Sequence, residues 1–233
     1  PRIADELCVI RSCQSDGINH AGGVCQMNTG SVFGGRPSLG SWISYGLGTE
    51  NQNLPGFISI NPPTSNGGAQ NYGSAFLPAA FQGTKLTVQD SSQRNRRIDR
   101  LRRGEVNPHG ITNAVNKRLS RAQQRAQLDM IAAFNREKLA RDLQNRQVEA
   151  AIENFELAFR MQDAVPEVMD LSNETQETLR LYGINEAPTD GFARQCLLAR
   201  RFAEAGVRFI ELGHGSWDQH SNLKQALGDN CAE

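Results

Sequence analysis

One loop near the carboxyl end, His214-Gly215-Ser216-Trp217-Asp218-Gln219-His220, gathers two imidazoles and a carboxylate within seven residues. Two His and one Asp on one loop make it the best functional candidate in the chain. The alternative is a polar loop in which Trp217 is the packing anchor. A second stretch, residues 11–20 (RSCQSDGINH), offers a hydroxyl at Ser15 and an imidazole at His20 just where a helix is expected to begin. Helix N-termini favour anions, which makes this the second place where chemistry could sit. The alternative is an ordinary turn capped by Ser15, Asp16 or Asn19.

Both stretches need elements to place them. Ahead of the first loop, Phe192, Cys196, Ala199 and Ala203 recur at helical spacing, with Arg194, Arg200, Arg201 and Glu204 largely off that stripe. Gly206 suits the positive φ of a helix end. Val207-Arg208-Phe209-Ile210-Glu211-Leu212 then reads as a short strand. A reactive loop directly after a strand matches the rule that open α/β sheets bind ligands at the carboxyl ends of their strands. Ahead of the second stretch, Glu6-Leu7-Cys8-Val9-Ile10 reads as a buried parallel strand. After it comes a weak helix near residues 21–28, closed by Thr29-Gly30.

Between the two lies the remaining framework. The glycine-rich run 34–48 lacks the order of either phosphate-binding loop, GxxxxGK[ST] or GxGxxG. Ser38 or Ser41 is expected to cap a short helix carrying Trp42 and Tyr45 on one side. Residues 54–60 form a third strand candidate, 61–73 turn material, and Leu86-Thr87-Val88 a short apolar segment. Residues 120–169 are helical in pattern, marked first by Leu128, Ile131, Phe134 and Leu139, then by Val148, Ile152, Phe155 and Phe159. Pro166 should end or kink the second helix. Asn173-Glu174-Thr175-Gln176 resembles a capping box opening a short helix that stops before Gly183. This block, about residues 112–183, reads as an α-helical insertion that packs or walls the site.

Lys plus Arg and Asp plus Glu each total 25, so net charge makes no case for nucleic acid. Residues 91–103 cluster six arginines, but no aromatic residues interleave with them, and a solvated lead-in to the helices is favoured over a nucleic-acid patch. No apolar run is long enough to span a bilayer, so no transmembrane segment is expected. Five cysteines form no CxxC pair and read as buried structural thiols. The chain opens on Pro1 and stops without a closing element; it reads as a fragment cut at both ends, expected to be inactive alone. Oligomeric state is not legible.

The segments RSCQSDGINH…MNTG, GRPSLGSWISYGLGTENQNLPGF, ELAFRMQDAVPEVMDL and GFARQCLLARRFAEAGVRFIELGHGSWDQH together resemble one bacterial family, domain of unknown function 1501, placed in the alkaline phosphatase/sulfatase superfamily. The resemblance implies an α/β three-layer sandwich with a mostly parallel central sheet, alkaline-phosphatase-like and incomplete, carrying the helical insertion. It implies metals at the carboxyl ends of the strands, with Asp218 and His220 as ligands, His214 as a weaker candidate and further ligands downstream. Carboxylate and imidazole suit zinc or a similar divalent ion. The superfamily nucleophile lies about ten residues before a Thr-Gly pair. Counting back from Gly30 reaches His20, whereas the hydroxyl of that loop is Ser15. The expected activity is metal-dependent hydrolysis of phosphate or sulfate esters, on a small molecule or a polysaccharide. The alternative is a non-catalytic envelope binding protein that retains the fold. Relatives typically carry a twin-arginine export signal, which implies a periplasmic or cell-envelope location.

Overall fold

The computed structural model describes residues 4–88, 118–141, 146–215 and 217–232. The arginine-rich stretch 91–103 and Ser216 lie outside them. Three parallel strands form the sheet, β1 (Phe57–Ile60), β2 (Thr84–Leu86) and β3 (Phe209–Leu212), in the order β2-β1-β3. Phe57 pairs with Phe209, Ser59 with Glu211 and Ile60 with Leu212. All four residues of β1 are buried. A central parallel strand is covered on both faces, which is why Phe-Ile-Ser-Ile carries no exposed alternation.

Seven α-helices accompany the sheet among the described residues: α1 (His20–Thr29), α2 (Leu39–Leu47), α3 (Arg121–Arg141), α4 (Arg146–Met169), α5 (Gln176–Tyr182), α6 (Asp190–Glu204) and α7 (Leu223–Ala232). On one face, Ile58 and Ile60 meet Leu86, Val165 of α4 and Leu198 and Phe202 of α6 in the main core. On the other, Phe57 and Phe209 stack edge to face at 5.2 Å against α2. Gly40 lets α2 come that close, since a Cβ there would sit 2.5 Å from Phe209 Cδ1 and 2.6 Å from Phe57 Cε1. The result is an α/β fold, a small open parallel sheet with helices on both faces.

The helices follow local signals in most places. Asn19 caps α1 by accepting from Gly22 N, and Gly30 closes it at φ 73°. Gly183 closes α5 in the same left-handed conformation. Ser38 takes the N-cap position of α2, but its hydroxyl meets that of Ser41 at 3.0 Å and makes no cap bond. Trp42 and Tyr45 share the outer side of that helix, 6.2 Å apart. Thr175, rather than Asn173, caps α5, accepting from Thr178 N at 3.1 Å. Pro166 lies inside α4, which stops three residues on at Met169. Two arginines of α3 join it to α4: Arg125 forks onto Glu156 at 2.7 and 2.6 Å, and Arg121 lies 4.3 Å over the Phe159 ring.

Three expectations are corrected. Residues 6–10 form no strand; Leu7, Val9 and Ile10 are 60, 73 and 69 % exposed, and only Ala4–Glu6 is regular, a 3-10 turn. An apolar run alone supplies no pairing partner, and here none of the three strands takes it up. Cys8, Cys13 and Cys231 are accordingly exposed, while Cys25 is buried and Cys196 half-buried. On α6 the buried stripe is Ala193, Leu197, Leu198 and Phe202, turned from the expected Phe192, Cys196, Ala199 and Ala203. Phe192 is drawn instead towards the site loop, and Ala203 is exposed.

Candidate metal centre

The loop after β3 starts from a constrained crossing. Gly213 N donates to Ile60 O at 2.8 Å, carrying the parallel ladder one residue past the strand. A Cβ on Gly213 would run into the Asn61 carbonyl, so a glycine is what lets the two chains leave the sheet side by side. His214 follows, half-buried, its ring 4.9 Å from Phe192 of α6. Trp217 Nε1 donates to His214 Nδ1 at 2.7 Å and closes the turn. Past that turn, Asp218 Oδ2 lies 2.7 Å from His220 Nε2.

The other half of the site comes from the start of the chain. His20 is the first residue of α1, directly after the Asn19 cap. Its Nε2 lies 2.9 Å from the same Asp218 Oδ2. Segment 15–17 is folded back on α1 through one side chain: Ser15 Oγ donates to Gln26 Oε1 at 2.6 Å, Asp16 N donates to it at 2.8 Å, and Gln26 Nε2 donates to Asp16 at 3.1 Å. Gly17 permits this, since a Cβ there would run into the backbone of Gly23.

His20, Asp218 and His220 thus converge, with their ligand atoms within 4.8 Å of one another and all three residues exposed. Four ligands around zinc at about 2.0–2.1 Å stand roughly 3.3 Å apart. The observed 2.9 and 2.7 Å approaches need open by only a few tenths of an ångström to admit an ion. Two imidazoles and one carboxylate also match, by chemistry, a three-ligand site with a position left over. His214 is not in this cluster; its Nδ1 serves Trp217. Ser15 is held by Gln26. His20 thus stands beside Asp218 and His220 as a third candidate ligand atom.

A group that the motif reading passed over is Glu211, two residues before Gly213. It is half-buried on β3, accepts from Ser59 Oγ at 3.0 Å, and burial pushes its carboxyl above the usual range, against the opposing effect of that hydrogen bond. The signal was present: one acid inside the otherwise apolar stretch Val207–Leu212.

No curated protein and no solved structure matches the chain. A family model described as "Protein of unknown function (DUF1501)" matches residues 1–233. With the match running from end to end, the chain belongs to the DUF1501 family.

Proposed function

We propose that the chain is part of a metal-dependent hydrolase of phosphate or sulfate esters, with an alkaline-phosphatase-like fold and an exported, envelope location. The observation that carries this reading is the convergence of His20, Asp218 and His220 from opposite ends of the chain. A divalent ion, zinc by ligand type, would supply a Lewis acid at such a site. His20 and His220 would each present Nε2 to the ion, and Asp218 would neutralise part of its charge. The first turn of α1 offers an anionic ester the backbone N–H groups of His20 and Ala21, which make no hydrogen bond among the described residues, Gly22 N being taken by Asn19. Its substrate would be a small ester or a polysaccharide ester.

One observation favours a second reading, a binding protein that keeps the fold and the metal without turnover. The only hydroxyl expected to act as nucleophile, Ser15, is committed to Gln26. The test is to express the gene product that contains this chain, load it with zinc, manganese or cobalt, and assay aryl phosphates and aryl sulfates. Metal-dependent hydrolysis abolished by Asp218→Ala supports the hydrolase. Metal bound by the wild type, lost in Asp218→Ala, and no turnover of either ester class would support the binding protein.

A further inference from the structure

The amino-terminal edge of the sheet, opposite the metal-ligand loop, holds a cavity of about 410 Å³. It forms where the end of α2 and the residues leading into β1 face α4, with Phe81 closing the side that leads into β2. Small-molecule sites run from about 300 to 1,000 Å³ and combine apolar walls with a few placed polar groups. Leu54, Phe81 and Leu157 supply the apolar walls here. Glu153 and Arg160 also line it. They lie two turns apart on one face of α4, about 10.5 Å along the axis.

Three observations mark it as a site rather than a packing gap. Arg160 Nε donates to Gln52 O at 2.6 Å, which fixes the guanidinium. Its charge also acts on Glu156, whose carboxylate is forked onto Arg125, and its terminal N–H groups make no hydrogen bond among the described residues. Glu153 is exposed and has no ion-pair partner among the described residues. Ser44, which lines the same cavity, is 4 % exposed and its hydroxyl has no hydrogen-bond partner among the described residues. A buried polar group without a partner is uncommon, and a hydroxyl lining a cavity can take its bond from whatever fills it.

We propose that this cavity is a binding site for a small zwitterion with an apolar body. Its carboxylate would sit on Arg160, its ammonium at Glu153, and a hydrogen-bonding group near Ser44. A ligand of single charge would desolvate one of the two charged side chains without replacing its solvation, so the pair selects for both charges at once. The spacing along α4 selects for length, which is the chemistry of an ω-amino acid.

The experiment titrates the full chain with ω-aminooctanoate and follows its amides by heteronuclear NMR, with octanoate, octylamine and γ-aminobutyrate as comparisons. The expected result is that ω-aminooctanoate shifts the amides of Ser44, Gln52, Phe81 and Leu157 and leaves those of 214–220 in place. Glu153→Gln and Arg160→Gln should each weaken it about tenfold or more, the loss of one charge-assisted hydrogen bond. Glu153 lies on the exposed side of α4, so its variant keeps the fold even if Arg160→Gln, by releasing Gln52, does not. Equal affinity for octanoate and ω-aminooctanoate overturns the proposal. So does undiminished binding in Glu153→Gln, or a titration that shifts residues 214–220 in place of the cavity.

Discussion

His20 Nε2 lies 2.9 Å from Asp218 Oδ2, so the first helix and the last loop of the chain meet on one oxygen atom. That oxygen also receives His220 Nε2 at 2.7 Å. If the three form one ligand set, none is dispensable. His20→Ala, Asp218→Ala and His220→Ala should each lower affinity for zinc or cobalt by at least the roughly 10–100-fold that loss of an outer-sphere partner costs. His214→Ala should leave affinity nearly unchanged, because that imidazole serves the Trp217 indole. Competition titration against a chromogenic chelator measures all four. A loss in His214→Ala as large as in His20→Ala would assign the wrong third ligand.

Glu211 predicts a pH-dependent gain. Burial raises its carboxyl in the folded chain, so its neutral form is the one the fold prefers. A group raised on folding contributes stability that is complete below its unfolded value, about 4.3, and is lost as pH rises through the folded value. Above its folded value the ionised carboxylate is therefore a burden. Glu211→Gln keeps an acceptor for Ser59 and removes the charge. The variant should unfold at a higher temperature than wild type at pH 7 and at the same temperature near pH 4. A variant that is less stable at pH 7 would mean that the Ser59 bond to a carboxylate outweighs the burial.

How far the sequence reached is clearest at α1. Thr29 and Gly30 carry the closing signal, and that end was legible from them; at the other end Asn19 was one of three cap candidates beside Ser15 and Asp16, and the fold selects it. Asp218 and His220 stood out as candidates because residue type is a local property, and the family resemblance gave them their proposed role. The pairing of His20 with Asp218 is not local, and could be approached only through the rule that loops gather at the carboxyl edge of a parallel sheet. Residues 6–10 show the converse. Their composition is that of a strand, but pairing depends on a neighbour with a free edge in register, which no window of sequence displays. The stripe on α6 was misjudged because Phe192 packs on His214 and Arg201 reaches back to the end of α4; neither contact is encoded in helical periodicity.

Glu174 should behave oppositely to Glu211. Arg201 Nη1 lies 2.6 Å from its Oε1 and Arg200 Nη2 3.2 Å from its Oε2, and the first of these holds the carboxyl below the usual carboxylate range. Arg201 also donates to the carbonyl of Val168, so the acid ties α6 to the end of α4. A carboxyl lowered on folding contributes stability that is present above its unfolded value and fades as pH falls through the folded value. Glu174→Gln should cost roughly 2 kcal/mol at pH 7, the scale of a charge-assisted hydrogen bond. The gap should close as pH drops below about 4. Urea denaturation at the two pH values reads it, and a gap that stays constant would exclude the ion pair as its source.

Gly40 tests whether α2 must lie as close to the sheet as it does. Its Cα faces the Phe57 and Phe209 rings, and an added methyl would stand 2.5–2.7 Å from their carbons, well inside contact distance. Both rings sit in an edge-to-face pair across adjacent strands, so neither can tilt without disturbing the other. Gly-to-Ala in an exposed helix interior is normally stabilising by roughly 0.5–1 kcal/mol through helix propensity. Overpacking a close contact costs about 1–3 kcal/mol, so the second effect should win. Gly40→Ala is expected to lower stability by about 1–2 kcal/mol. Gly46→Ala on the same helix, where a Cβ meets nothing within 4 Å, should raise it slightly. Denaturant midpoints of the two variants give the comparison. If both substitutions stabilise, α2 rides further from β1 and β3 than the structure places it.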